Sequence, residues 1–367
     1  MLCLVLPSVA DTLVISRDGE EVSIVGELLY TALDKSILFE SPDGQLHVFT
    51  EERIVRIEED AEELPKMDPE ELGKSLLADL PTGFKVLTSD NYVIAYKTEL
   101  AFAKWIEKLY ERRLIPQFEK FAKSKLRYEL SDPPFPLAIV VFGSRAEYGA
   151  YARRELETDP GTIVAHYSQL TNRVAMYDLT DDLGGKDRDL DEVLRQRDAI
   201  PMVTTIIHEG THQLMFNRGM QVRLADAPLW LNEGMANWFE TPNLKNSNGW
   251  TKPGLVNQLR LRRLRNYLAN RPDDSIATLV SDDQRFNFAD ERTFDAYAES
   301  WALIHFLLRR RPKEMRAYLK VVSAKRPGFE VDAATRLQEF KDHFGGKDGD
   351  LKKLDEAFLK YVDRLKF

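Results

Sequence analysis

Residues 11 to 58 alternate short apolar runs with turn signals. "TLVIS" is followed by Asp18-Gly19, then come "EVSIVGELL", "KSILFES", Pro42-Asp43-Gly44, "QLHVFT" and "RIVRIEE". Apolar and polar positions exchange with the period of a strand, and Asp-Gly pairs between such runs are hairpin signals. Four or five strands in so short a stretch predict a small β-barrel, SH3-like in size. His47 stands alone on one of these strands and reads as a surface or half-buried residue. Residues 59 to 81, "EDAEELPKMDPEELGKSLLADLP", are acidic and contain Pro65, Pro69 and Pro81. They predict a linker carrying one short helix.

The pattern changes after residue 82. "FKVLTSDNYVIAYKT" has strand character. From Leu100 to about Lys125 the apolar positions Phe102, Ile106, Leu109, Tyr110, Leu114, Phe118 and Phe121 recur at helical spacing. "PLAIVVFGS" is a continuous apolar run of the kind a buried strand needs. Arg145 to Leu156 reads as a helix, and "TIVAHYSQLTNRVAMYDL" as a hairpin turning near Leu170 to Asn172. Beyond Asp191 the pattern is mostly helical. Strands followed by helices predict an α+β domain, a mixed sheet with a mostly helical C-terminal part, over residues 82–310. Residues 311–367 are expected to form a helical C-terminal extension.

The first ten residues, "MLCLVLPSVA", form an apolar run ending in the small-x-small pattern Ser8-Val9-Ala10. This resembles the end of a secretory signal, without its basic start, and predicts a periplasmic, envelope or secreted protein. The alternative is that the run is a first strand of a cytoplasmic protein. No other segment approaches the ~20 apolar residues of a membrane span.

Composition narrows the classes. Of 367 residues, 43% are apolar and 30% charged, as in a folded soluble protein. The net charge of −9 argues against a nucleic-acid partner. The basic stretch Arg260 to Arg265, "RLRRLR", reads as a solvated helix face. One cysteine, Cys3, excludes an intrachain disulfide and a cysteine-based metal site.

Chemistry concentrates in "TTIIHEGTHQL", residues 204 to 214. His208 and His212 lie four residues apart, so on a helix their imidazoles stand one above the other and can bind one cation. Zinc accepts neutral nitrogen ligands in a tetrahedral arrangement. Glu209 projects beside such a metal, where a carboxylate can take a proton from zinc-bound water. With six histidines in the chain, this H-E-x-x-H pattern arises by chance on the order of 1% of the time. Without a metal, the same segment is a helix with two half-buried histidines.

A metal with one position open for water needs a third protein ligand. Glu233, in "PLWLNEGMANWFE", lies 21 positions after His212 (233 − 212). Pro228 can open a second helix that presents it. His166 precedes the motif on a strand, while His305 and His343 lie far downstream. Asn237, one turn after Glu233, can support a ligand imidazole by a hydrogen bond. Glu240, two turns on, reads as a solvated residue.

"HEGTH" followed by "WLNEGMANWFE" resembles the gluzincin metallopeptidases, whose second helix carries a glutamate ligand. "WLNEG" is close to the M1-type aminopeptidases and the broader peptidase MA-like group. The arrangement looks most like the DUF1570 family of MA-like proteins, over roughly residues 84 to 310. The resemblance implies a zincin-like fold, Zn2+ held by His208, His212 and Glu233, and a catalytic Glu209. "FDAYAESWALIHFLL" is similar to the segment in which a tyrosine at a helix start stabilises the transition state; the matching residue is Tyr297. A phenol there can donate to the oxygen that gains negative charge. Read without the resemblance, Tyr297 is a core residue beside Trp301, Ile304 and Leu308.

One part of the M1-type pattern is missing. The G-x-M-E-N strand that binds a free amine is replaced by "AHYSQLTNRVAMYD". That removes the main reason to expect an aminopeptidase. A strand there can still align an extended peptide by backbone pairing, with His166, Tyr167 and Arg173 near substrate; a plain hairpin is the simpler reading. The expected function is zinc-dependent hydrolysis of a peptide or protein substrate. The alternative is an inactive zincin-fold binding or scaffold protein of the cell envelope.

Overall fold

Strand pairing governs the first sixty residues of the computed structural model, which describes residues 9–159, 161–183, 190–194, 196, 198–241, 253–288, 290–346 and 349–366. The apolar segment 1–8 lies outside these residues; Val9 and Ala10 already belong to the first strand. Strands β1 (Val9–Arg17), β2 (Glu20–Thr31), β3 (Ile37–Glu40), β4 (Leu46–Phe49) and β5 (Ile54–Glu63) form one antiparallel sheet in the order β4-β3-β2-β1-β5. Asp18 and Gly19 both take positive φ, 53° and 84°, the conformation that a two-residue turn between twisted strands requires. Leu13, Ile15, Ile37, Phe39 and Phe49 form this sheet's own small core.

Residues 59–81 are more ordered than a linker. β5 extends through Glu63, and α1 (Pro69–Asp79) follows. Asp68 and Glu71 form a capping box at its start, with Pro69 in the first turn. Its Leu72 and Leu76 are buried against the second sheet, so α1 is a packed layer of the main domain.

That second sheet is built from β6 (Lys85–Thr88), β7 (Tyr92–Tyr96), β8 (Leu137–Phe142), β9 (Ala165–Tyr167) and β10 (Arg173–Tyr177), in the order β6-β7-β8-β10-β9. β7, β8 and β10 run parallel, and the two edge strands are antiparallel to their neighbours. Every residue of β8 is buried because both faces are covered. Ala138, Val140 and Phe142 meet α1 and α4 (Arg145–Leu156), after α2 (Leu100–Leu109) and α3 (Ile115–Lys120) in chain order. Leu137, Ile139 and Val141 face the large helical core. α2 and α3 belong to one helical run through Leu126, widened by π-type turns at Tyr110–Leu114 and Phe121–Leu126. The first of these turns precedes Pro116, which cannot donate to the helix ladder.

The helical part continues with α5 (Leu190–Leu194), α6 (Ala199–Asn217), α7 (Leu229–Glu240), α8 (Gln258–Leu268), α9 (Ser275–Ser281), α10 (Arg292–Arg310), α11 (Pro312–Val322), α12 (Ala333–Phe344) and α13 (Lys352–Asp363). The chain is thus a mixed α+β protein, with two sheets among the described residues. α11 to α13 share the main core: Trp230 of α7 stacks on Tyr318 (5.8 Å) and meets Phe340 edge-on (5.4 Å), and Phe306 meets Phe358. No separate core sets residues 311–366 apart among the described residues.

Two glycines set how closely the central helices approach. A Cβ on Gly234 of α7 would lie 2.5 Å from Ile304 Cγ1 and 2.7 Å from the Ser300 carbonyl of α10. A Cβ on Gly210 of α6 would lie 2.6 Å from Leu114 Cδ2 and from the Tyr110 ring. Tyr110 cannot give way freely, because it is fully buried and donates to the Ile206 carbonyl at 2.8 Å. Gly210→Ala therefore costs stability by overpacking, by more than the ~1 kcal/mol of helix propensity it gains. A urea titration is expected to show a lowered midpoint; an unchanged or raised midpoint would contradict this packing.

Candidate metal centre

α6 is buried along most of its length, which places His208 and His212 against the core and not toward bulk water. Their rings lie 4.7 Å apart, nearly perpendicular at 76°. α7 brings a carboxylate to the same point. Pro228 precedes it, and Asp283 accepts from the Leu229 N–H at 2.9 Å, satisfying one of the amides a helix start leaves open. Glu233 Oε2 then lies 3.1 Å from His208 Nε2, and Oε1 3.6 Å from His212 Nε2. Among the described residues, His208, His212 and Glu233 are the group whose ligand atoms fall within 4.8 Å of one another. The edge of a tetrahedron of ligands around zinc is about 3.3 Å, from bonds of ~2.0–2.1 Å. The observed separations fit such a donor set, and its nitrogen and oxygen atoms suit a divalent cation.

The residue that orients this set is Glu240. Its Oε2 lies 2.7 Å from His208 Nδ1, so the imidazole presents Nε2 to the cation position. Glu240 is buried; its Oε1 accepts from Asn257 Nδ2 at 3.2 Å and lies 3.8 Å from Arg260 Nη2. The expectation of a solvated Glu240 is therefore corrected. Seven residues make nearly two full turns, so Glu240 shares the face of Glu233, and α7 lies alongside α6 at that depth. Asn237 does not take the imidazole-supporting place expected of it. Its Nδ2 donates to the Glu233 carbonyl at 2.5 Å and its Oδ1 accepts from Arg260 Nε at 2.7 Å. It ties the ligand-bearing helix to α8. Arg260 thus belongs to the site and not to a solvated basic face.

Burial and mutual charge perturb each group. Burial disfavours a proton on His208, but Glu233 and Glu240 outweigh it and hold its pKa well above the ordinary value. Burial lowers His212 to about 4. Burial pushes Glu209 up to about 7, opposed by His208 and reinforced by Glu233. Glu209 Oε2 accepts from the Tyr167 N–H of edge strand β9 at 2.8 Å, which fixes the carboxylate beside the triad and not in it.

His208, Glu209, His212, Glu233, Arg260 and Tyr297 line one cleft of about 530 Å³. Tyr297 reaches it from the second turn of α10, brought in by the close approach at Gly234. The Glu233 carboxylate, then burial, holds the Tyr297 phenol above its ordinary pKa, so it stays a donor. Arg260 sits over its ring at 5.2 Å and Phe286 meets it edge-on. Of the other histidines, His166 lines an adjoining cavity that shares Glu209 and Tyr297, and His47, His305 and His343 lie elsewhere. His166 is buried between Glu155 (2.7 Å) and the Tyr148 hydroxyl (3.0 Å). Arg173 is buried against Asp79 at 2.7 Å. Of the three hairpin residues considered for substrate contact, Tyr167 lines the cleft. His305 packs among Trp238, Trp301 and Tyr361, and His343 bonds the Glu339 carbonyl.

The carboxylate on His208 Nδ1 sets its tautomer, so Glu240→Ala is expected to weaken divalent-metal binding about ten- to hundredfold in a competition titration. Asn237→Ala, which leaves that bond in place, is expected to weaken it less. The reverse order would show that Asn237, and not Glu240, supports the ligand.

Residues 202–329 match the sequence profile of a family described as "Protein of unknown function (DUF1570)". No curated protein matches the chain. The matched span contains His208, Glu209, His212, Glu233, Asn237, Glu240, Arg260 and Tyr297, and begins after both sheets. The chain is similar to that family over the helices that carry the candidate metal ligands.

Proposed function

We propose that the chain is a zinc-dependent peptidase with a zincin-like catalytic domain. The observation that carries this reading is the convergence of His208, His212 and Glu233 beside a half-buried carboxylate, Glu209, in a cleft that Tyr297 also lines. His208, His212 and Glu233 would hold the zinc, which when bound would supply a Lewis acid for the scissile carbonyl and the attacking water.

The chain's own groups do the rest. Glu209, with its carboxyl at about 7, is close to ambient pH in basicity, which suits a base that must later act as an acid. It takes one proton from the attacking water and returns it to the leaving amine, so the C–N bond breaks as an acid and a neutral amine form. The Tyr297 hydroxyl donates to the carbonyl oxygen as it gains charge. β9 is an edge strand beside Glu209 and offers a rim along which an extended peptide can lie. Glu240 and Arg260 keep the metal side of the cleft charged and ordered.

Glu209→Gln is expected to retain metal and lose peptide cleavage by at least about a thousandfold, and Tyr297→Phe to lower kcat about a hundredfold with little change in KM. In the wild-type chain kcat/KM is expected to fall on the acid side, at or below pH 7, as Glu209 protonates and ceases to be a base. A peptide-library digestion with and without chelator reads all three. Cleavage by Glu209→Gln at the wild-type rate would refute the mechanism. A metal-loaded wild type that cleaves nothing would favour a binding or scaffold role.

A further inference from the structure

The N-terminal sheet has no part in the chemistry above, yet it is fastened to the rim of the cleft. The fastening point is the turn between β9 and β10. Leu46, the first residue of β4, donates its N–H to the Leu170 carbonyl at 2.7 Å. Arg223, in the connection between α6 and α7, is buried and bridges both sides. Its Nη1 donates to the Gly44 carbonyl at 2.7 Å and to the Gln169 carbonyl at 3.2 Å, and its Nη2 to Glu40 Oε1 at 2.5 Å. Next to it, Leu224 donates its N–H to Gln169 Oε1 at 2.8 Å. Leu224 is itself held from the other side: its carbonyl accepts from Gly328, and neighbouring Phe329 packs on Tyr30 of β2 at 4.9 Å.

These bonds decide which end of Gln169 is available. A backbone N–H only donates, so the side-chain atom facing Leu224 must be the oxygen. The NH2 group is then the free end, with no partner among the described residues, on a residue that lines the metal cleft. Gln169 is half-buried, its carbonyl and its side-chain oxygen each accept a bond, and its side chain keeps two N–H donors. A planar arginine fork reaching three acceptors is a geometry that lysine cannot reproduce.

We propose that Gln169 is a substrate-binding residue that donates to a backbone carbonyl of a bound peptide, and that the N-terminal sheet positions it through Arg223. This rests on the peptidase reading for the nature of the ligand. Arg223 is a positioning residue, since it acts through the turn and touches no substrate.

The test uses the full chain loaded with zinc and a fluorescein-labelled peptide hydroxamate, which binds without being cleaved, followed by fluorescence anisotropy. Gln169→Ala is expected to weaken the probe roughly three- to tenfold, the loss of about one hydrogen bond. Arg223→Lys and Glu40→Gln are expected to weaken it by no more than that. The double variant Gln169→Ala with Arg223→Lys is expected to bind no worse than Gln169→Ala alone, because one residue acts through the other. Acetohydroxamate, which has no peptide part, is expected to bind all of them equally. The proposal is overturned if Gln169→Ala binds the probe as wild type does, if the two losses add, if acetohydroxamate loses as much as the probe, or if wild type does not bind the probe. Peptide turnover measured alongside separates the two ideas. If the probe pattern holds and wild type cleaves no peptide, the hydrolytic reading fails and this one stands.

Discussion

Three carboxylates, Glu209, Glu233 and Glu240, are crowded into the lining of one cleft beside two imidazoles, largely shielded from water, and the centre of the molecule is arranged around that fact. Buried charge is costly unless it is matched. Arg260 and a proton on His208 match part of it in the metal-free chain. A divalent cation between His208, His212 and Glu233 would match the rest while releasing that proton. The interaction that fixes the arrangement is the His208–Glu240 bond, because it sets the direction in which the first ligand points.

Helix packing then delivers the groups. α6 and α7 must lie close enough for Glu233 and Glu240 to reach His208, and α7 and α10 close enough for Tyr297 to share the cleft. Gly234 makes the approach of α7 to α10 sterically allowed, and Gly210 lets α6 seat against Tyr110 and Leu114 of the preceding helical run. The long helical run through α2 and α3 backs α6 from behind through Tyr110, and the edge strand β9 holds Glu209 through a backbone N–H. The proposed hydrolysis asks for donors and a base fixed within small tolerances, and Glu209 and Tyr297 are each held by a helix.

Much of this was legible in the sequence, for stated reasons. Paired histidines at i and i+4 imply a shared ligand position whatever the fold. The turn at Asp18-Gly19, the buried β8 and the hairpin of β9 and β10 follow from local periodicity. Glu240 was misjudged because spacing gives the face of a helix and not its depth. The same limit hid the role of Arg260, whose partner Asn237 lies on another helix. The packing of α1 and of α11 to α13 into the main core, and the Arg223–Glu40 link across 183 positions, depend on long-range docking that no local pattern encodes.

The central claim is that these buried groups exist to hold one divalent cation. It is tested most directly by the metal content of the purified chain, measured by mass spectrometry of the elements against protein concentration. The account predicts about one zinc per chain, lost when His212 is replaced by alanine. A chain that takes up no divalent metal, or that keeps its metal without His212, would contradict it.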